Sequence, residues 1–180
     1  MKKTMIVAIL AVALTGCAGT DLLPAVQEKG DVNLYLFGQN INSDTGEYDN
    51  GEMLGGIGVG YFIDELLEVG GDVTAAFGET EIYTLGLNVR AYQEILPEDW
   101  QTQPYAGAYA GYCWIDGDNG HDDGLVFGPM AGLKTKWAEN LASYVEYRYG
   151  RYSGDFKTGV DDDAHQVFLG AVIKLPLKGE

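Results

Sequence analysis

The sequence predicts an all-β protein: an eight-stranded antiparallel up-and-down β-barrel, preceded by an N-terminal signal segment and a tether. Three observations lead to this fold class. The 180 residues include 26 glycines and 12 tyrosines against five prolines, a composition that suits a barrel. Eight runs alternate between polar and apolar residues, as half-buried strands do. The segments between the runs have no long helical period.

Most of the eight runs are about ten residues long, the length that a tilted strand needs to cross a bilayer. Segments rich in turn-forming residues separate them. The nearest helical candidate, residues 95–100, is limited to about one turn by Pro97. The runs are residues 32–40, 53–62, 68–78, 81–93, 104–116, 124–136, 142–153 and 164–175.

Length, charge and cysteine content exclude several classes of protein. A chain of 180 residues corresponds to one domain. The net charge of −16 argues against nucleic-acid binding, which requires clustered Lys and Arg. Two cysteines cannot form a disulfide framework or a four-thiolate zinc site. The hydrophobic fraction of 46% excludes disorder throughout the chain.

The first 16 residues are predicted to be a signal peptide. Lys2 and Lys3 form a positive start, and the apolar run at residues 5–14 is too short to span a bilayer. The following Leu-Thr-Gly-Cys resembles the lipobox of bacterial lipoproteins, which implies cleavage before Cys17 and a diacylglyceryl group on its thiol. Ala18, rather than Asp, then indicates passage to the outer membrane. We expect a signal peptide at 1–16, a lipidated tether at 17–30 and the barrel domain at 31–177.

The segments between the runs differ at the two ends of the predicted barrel. Those at residues 41–52, 117–123 and 154–163 are long or strongly acidic, whereas those at 63–67, 94–103 and 137–141 belong to the opposite end. An even number of strands with short turns at one end and longer loops at the other is typical of outer-membrane barrels. A lipid anchor on the inner leaflet would place the acidic loops outside. Their carboxylates would then attract divalent cations that bridge to lipopolysaccharide.

Alternation also divides the strands into an apolar and a polar face. A membrane barrel directs its apolar face to lipid and keeps the polar face inside. Because an eight-stranded barrel has little free interior, polar groups there are expected to fill it and pair with one another. Aromatic residues near the run ends are predicted to form interfacial belts; these are Tyr35, Tyr61, Tyr92, Trp100, Tyr112, Trp114, Trp137 and Tyr152. The predicted interior polar network consists of Asp72, Asn88, Arg90, Lys134, Glu146, Arg148 and Lys174, with Gln166 on the same face.

Four glycine-rich segments resemble the small outer-membrane β-barrels of the OmpA/OmpX type. They are GGIGVGYFIDELLEVGGDV (55–73), PYAGAYAGYCW (104–114), FGPMAGLKTKW (127–137) and YVEYRYGRY (144–152). The resemblance covers residues 31–175 and implies a barrel in the outer membrane with no catalytic motif. The chain departs from it in ending LPLKGE rather than on an aromatic residue. Lipid anchors are also uncommon on such barrels.

Tests for metal and catalytic chemistry give no strong candidate. Residues 116–123 contain several aspartates, but they fail the EF-hand register. Cys113 is expected to be a small apolar filler in a strand. Ser153 and His165 could approach across the last two strands, as a hydrolase would require. We therefore expect no metal, no cofactor and no enzymatic activity.

The expected protein is a lipid-anchored outer-membrane barrel with a structural or interaction role in the cell envelope. Its expected partners are outer-membrane lipid and, at the acidic loops, divalent cations and lipopolysaccharide; the sequence identifies no protein partner. The alternative is a soluble periplasmic barrel that binds a small apolar ligand as a lipocalin does. An apolar lumen would favour that alternative.

Overall fold

In the computed structural model, eight antiparallel strands pair in chain order and close into one barrel. The strands are β1 (Val32–Ile41), β2 (Glu52–Asp64), β3 (Leu67–Phe77), β4 (Glu81–Tyr92), β5 (Thr102–Gly117), β6 (Gly120–Ala138), β7 (Leu141–Ser153) and β8 (Asp163–Leu175). The structure describes residues 27–41, 52–77, 81–94, 101–117, 120–153 and 163–175. Within these ranges, no helix is long and apolar enough to span a membrane. The predicted fold class is confirmed; the signal peptide and Cys17 lie outside the described residues.

The alternation of polar and apolar residues in the sequence corresponds to an alternation of buried and exposed side chains along the strands. Along β4, every residue of odd number from Glu81 to Ala91 is exposed, and the residues between them are partly or fully buried. Successive side chains of a strand point to opposite faces, so one face of β4 lines the lumen and the other covers the outside.

The two ends of the barrel differ in their connections. At one end, here called the turn end, two-residue turns at 65–66 and 139–140 join β2 to β3 and β6 to β7. The segment before β1 lies at the same end, where the Gly30 amide donates to the Phe62 carbonyl at 2.8 Å. Gly30 has a φ of 94°, a left-handed conformation that glycine adopts without strain. The opposite end is called the loop end, and its connections fall outside the described residues.

The prediction of a loop at residues 117–123 is wrong. β5 and β6 remain paired up to Gly117 and Gly120, and Asp116 lies opposite His121. The Asp and Gly residues suggested a loop, but backbone pairing extends to Gly117 and Gly120 and gives a long pair of strands at the loop end. The Asp116 carboxylate contacts the His121 ring at 3.0 Å, on an exposed part of this pair of strands.

The barrel closes where the first strand meets the last. β1 and β8 form seven registered pairs, from Val32 opposite Leu175 to Gly38 opposite Leu169. By comparison, β5 and β6 form 16. This seam converts a twisted sheet with two open edges into a closed structure.

Candidate functional site

Three charged side chains from non-adjacent strands form the centre of the lumen. Arg90 of β4 donates from Nε to Glu146 Oε2 at 2.9 Å, and Arg148 of β7 donates from Nε to Glu146 Oε1 at 2.7 Å. Both carboxylate oxygens of Glu146 therefore accept from a guanidinium group. Glu146 is fully buried, so these charge-assisted bonds form away from bulk water, where they are strong.

Two further residues close this centre into a ring. Arg148 Nη2 donates to Asp72 Oδ2 at 2.9 Å, and Asn88 Nδ2 donates to the same oxygen at 2.9 Å. The Asn88 Oδ1 atom in turn accepts from Arg90 Nη1 at 2.7 Å. We call the five residues Arg90, Glu146, Arg148, Asp72 and Asn88 the interior ring. They link strands β3, β4 and β7 through the lumen.

Glu68 extends the ring toward the turn end, and sequence reasoning missed it. Its fully buried carboxylate accepts from Arg90 Nη1 at 3.1 Å and from the hydroxyls of Tyr35 and Tyr92 at 2.7 and 2.8 Å. Asn33 adds a longer bond at 3.3 Å. Glu68 lies four residues before Asp72 on the same strand face, so alternation alone could have revealed it.

Aromatic rings fill the lumen around the charges. The Arg90 guanidinium lies 4.6 Å from the centre of the Tyr35 ring, and that of Arg148 lies 4.8 Å from Phe168. Glycines on neighbouring strands leave space for these rings: a Cβ on Gly132, which lies opposite Tyr105 on the next strand, would meet the Tyr105 ring. The arrangement is a packed plug of paired charges and aromatic rings.

The other two predicted network residues lie outside the interior ring. Lys134 is buried, but its Nζ has no hydrogen-bond partner within the described part of the chain. Lys174 pairs with Asp31 at 2.7 Å near the turn end and is partly exposed, so it lies apart from the interior ring. Its strand position does face inward, but β8 has by then reached the end of the barrel. Gln166 is partly buried and lies opposite Arg148.

The outer face is apolar. Large hydrophobic side chains are exposed on every strand, and Leu87 in the middle of β4 is 72% exposed. Away from the two ends of the barrel, charged side chains such as Arg90 and Glu146 face the lumen and apolar side chains face outward, the reverse of a soluble protein. Examples from other strands are Leu36, Ile57, Val73, Trp114, Leu125, Leu133, Val145 and Leu169. A lipocalin-like barrel with an apolar lumen does not fit this distribution.

The predicted aromatic belts are present only in part. Tyr61, Tyr112 and Trp114 are exposed on the outer face. Tyr35 and Tyr92 are instead buried in the lumen, where their hydroxyls bind Glu68. For these two residues the prediction was wrong, because position near a run end does not determine the face. Trp137 is partly buried and donates to Ser143 at 2.8 Å; Tyr152 packs partly buried against an inner cluster, and Trp100 lies outside the described residues.

The strand register separates the residues considered for catalysis. His165 on β8 lies opposite Tyr149 on β7. Ser153 lies four residues further along β7, which places it about 13 Å from this pair along the strand. The His165 ring instead contacts the Tyr147 hydroxyl at 2.6 Å. The Ser153–His165 approach is therefore not formed. Cys113 is fully buried, and its Sγ donates to the Gly124 carbonyl.

The arrangement of possible metal ligands is the next feature of the barrel. Across the described ranges, no group of three or more His, Cys, Asp or Glu side chains is arranged to hold a metal ion. Asp118, Asp155, Asp161 and Asp162 fall outside those ranges. The interior carboxylates are occupied by guanidinium, amide and hydroxyl donors, so the interior ring is built for packing and pairing.

Comparisons with known proteins agree with this geometry. The N-terminal barrel domain of OprF from Pseudomonas aeruginosa has a TM-score of 0.62 at 17% identity, covering 83% of this chain and 100% of that one. Neisserial surface protein A (NspA) has a TM-score of 0.60 at 18% identity, covering 82% and 98%. Ail, the attachment invasion locus protein of Yersinia pestis, has a TM-score of 0.53 at 15% identity, covering 83% and 100%. These likenesses show the fold. No curated protein matches the chain.

The sequence itself matches the family described as "outer membrane protein beta-barrel domain" over residues 8–174. That range includes all but the last residue of the eighth strand. A closed barrel with an apolar outer face and a polar interior is typical of proteins that cross a membrane with strands. The chain belongs to the outer-membrane β-barrel family.

Proposed function

We propose that this outer-membrane barrel is lipid-anchored through Cys17 and has a structural or interaction role in the cell envelope. The Leu-Thr-Gly-Cys segment supports the anchor. The filled lumen is the observation that carries the proposed role. The interior ring and the surrounding aromatic side chains occupy the space that a solute would need. Interactions with other molecules are therefore assigned to the outer face and to the two ends.

The outer face supports a role at the lipid boundary. At its loop end, tyrosine hydroxyls bond to polar groups: Tyr83 to Glu81 at 2.9 Å, and Tyr149 to Asp163 at 2.8 Å. Tyr112 bonds to Asp123 in the same way. Tyrosines with an apolar ring and a satisfied hydroxyl are suited to a membrane interface.

The loop end is also acidic, which supports binding to lipopolysaccharide through divalent cations. Glu81, Asp116, Asp123 and Asp163 are exposed there, and carboxylate oxygens are the ligands that Ca²⁺ and Mg²⁺ prefer. The phosphates of lipopolysaccharide are themselves anionic, so direct contact would be repulsive. A cation shared between the two surfaces removes that repulsion.

Replacement of Cys17 by Ser tests the anchor and the barrel separately. In cells given labelled palmitate, the native chain should take up label and Cys17→Ser should not. Cys17→Ser should still require detergent for extraction and should migrate faster on an unheated gel than after boiling. Equal labelling of both chains would refute the lipid anchor. A variant that is soluble in plain buffer would refute the spanning barrel.

Vesicle binding tests the cation bridge. The purified chain in nanodiscs should bind lipopolysaccharide vesicles in Mg²⁺ and release them in EDTA. Asp116→Asn with Asp123→Asn should weaken this binding, whereas Asp64→Asn with Glu65→Gln at the turn end should not. Equal binding by the two double variants would show that the loop-end carboxylates are not involved.

A further inference from the structure

A small cavity lies at the turn end of the lumen. Its volume is about 20 Å³, enough for one water-sized group. Lys134, Lys136 and Lys174 line it, together with Gln27 and Asn33. Three of the chain's lysines therefore meet at one point of a protein whose net charge is −16.

Lys134 is the unusual member of this group. It is 4% exposed, and its Nζ has no hydrogen-bond partner among the described residues. Its Nζ lies over the faces of the Phe62 and Tyr92 rings, 5.3 and 5.4 Å from their centres. Glu68 is already bonded to four other side chains. A buried ammonium group without an acceptor is costly, and an anion in the cavity would remove that cost.

The lining of the cavity carries more positive than negative charge. The lining residues include one carboxylate, that of Glu139, and the ammonium groups of three lysines. Lys174 is paired with Asp31 at 2.7 Å, which leaves an excess of one positive charge. The buried Asn33 side chain lies on the same lining and donates from Nδ2 to Glu68 at 3.3 Å.

We propose that this cavity binds a phosphate group at the turn end of the barrel. One phosphate oxygen would enter and accept from Lys134 Nζ, while the remaining oxygens would lie beside Lys136 and Lys174. The cavity admits one oxygen, and three lysines surround it. With one oxygen inside, a phosphate monoester still presents two further charged oxygens to Lys136 and Lys174, whereas a carboxylate presents one. The source is either inorganic phosphate or the headgroup of a phospholipid in the adjacent leaflet.

The test is a titration of the chain purified in maltoside detergent and Tris–chloride buffer without phosphate. Inorganic phosphate and short-chain phosphatidylglycerol are added in separate experiments, and binding is followed by calorimetry and ³¹P NMR. Lys134→Met keeps the volume of the side chain and should weaken binding by about tenfold or more, as expected for loss of a charge-assisted bond. Lys29→Met, an exposed lysine just before β1, is the matched control and should bind like the native chain.

The outcomes of this titration decide whether the cavity binds phosphate and, if so, where the phosphate comes from. Binding of inorganic phosphate that depends on Lys134 supports a soluble source, and binding of the lipid alone supports a headgroup. No binding of either probe, or equal binding by Lys134→Met and the native chain, overturns the proposal. Displacement by acetate at equal concentration also overturns it, because the site would then be a general anion site. Unheated gel mobility establishes that each variant is folded, and Lys136→Met replaces Lys134→Met if the latter does not fold.

Discussion

Arg90 and Glu146 are separated by 56 positions in the chain, yet their side chains meet inside the barrel at 2.9 Å. Arg90 lies on β4 and Glu146 on β7, which are separated by two intervening strands. Both side chains are almost completely buried. The pair therefore ties together parts of the wall that share no backbone hydrogen bonds.

A double-mutant cycle on this pair should reveal strong coupling. Removal of one partner leaves the other charge buried and unpaired, so Arg90→Met and Glu146→Gln should each lower the free energy of unfolding by about 3–5 kcal/mol. The double variant should lose less than the sum of the two. The measurement is urea unfolding in lipid vesicles, followed by tryptophan fluorescence.

Arg151→Met is the control for this cycle. Arg151 is exposed on the outer side of the same strand as Glu146. Its replacement should change the free energy of unfolding by no more than about 0.5 kcal/mol. Additive losses for Arg90 and Glu146 would show that the pair does not couple the two strands.

Gly60→Ala should disturb Glu68. A Cβ at this position would collide with the Glu68 carboxylate, which four donors hold in place. We expect a loss of about 1–3 kcal/mol of unfolding free energy, as for other overpacked interiors. Gly55→Ala on the same strand is the control, since the nearest atom to its Cβ is 3.7 Å away. Equal stability of the two variants in urea unfolding would contradict the described packing of Glu68.

A lysine on the lipid-facing side should be costly in a position-dependent way. Leu87→Lys in the middle of β4 should destabilise the barrel by about 2–4 kcal/mol, whereas the same change near an interface costs about 0–1 kcal/mol. Ala91→Lys supplies that second case, because Ala91 is an exposed residue on the same face of β4 at the turn end. Unfolding in vesicles measures both. If Leu87→Lys were neutral, the outer face of β4 would not be in contact with lipid.

Cys113 should be protected from thiol reagents in the folded barrel. It is fully buried between β4 and β6. In a Cys17→Ser background, a bulky maleimide should label it only after unfolding. His121→Cys in the same background should be labelled at once, because the side chain of His121 is 83% exposed. Rapid labelling of Cys113 in folded protein would place its thiol outside the lumen.

The sequence predicted the eight strands and their two faces well, because both follow from alternation. Residues such as Leu87 and Arg90 on β4 differ in parity, and parity alone assigns one to lipid and the other to the lumen. The barrel's closure also follows, since a membrane-spanning sheet cannot leave an edge unpaired.

The contacts inside the lumen were harder to predict, because they depend on where each strand stands relative to the others. Alternation places Lys134 and Lys174 on the inner face, but only the register shows that Lys174 lies near the turn end beside Asp31. Tyr35 and Tyr92 were expected in a belt because tyrosine suits an interface. Their hydroxyls are instead used to satisfy the buried charge of Glu68.

The seam between β1 and β8 makes the barrel depend on both ends of its chain. The backbone N–H and C=O groups on the free edge of β1 find their hydrogen-bond partners only in β8, and those of β8 only in β1. A sheet that contains only the first seven strands therefore has two edges without hydrogen-bond partners. In a bilayer such an intermediate would be costly at any stage of synthesis. Insertion and closure are therefore expected to occur together, after the last strand has been made, with the short seam as the final join.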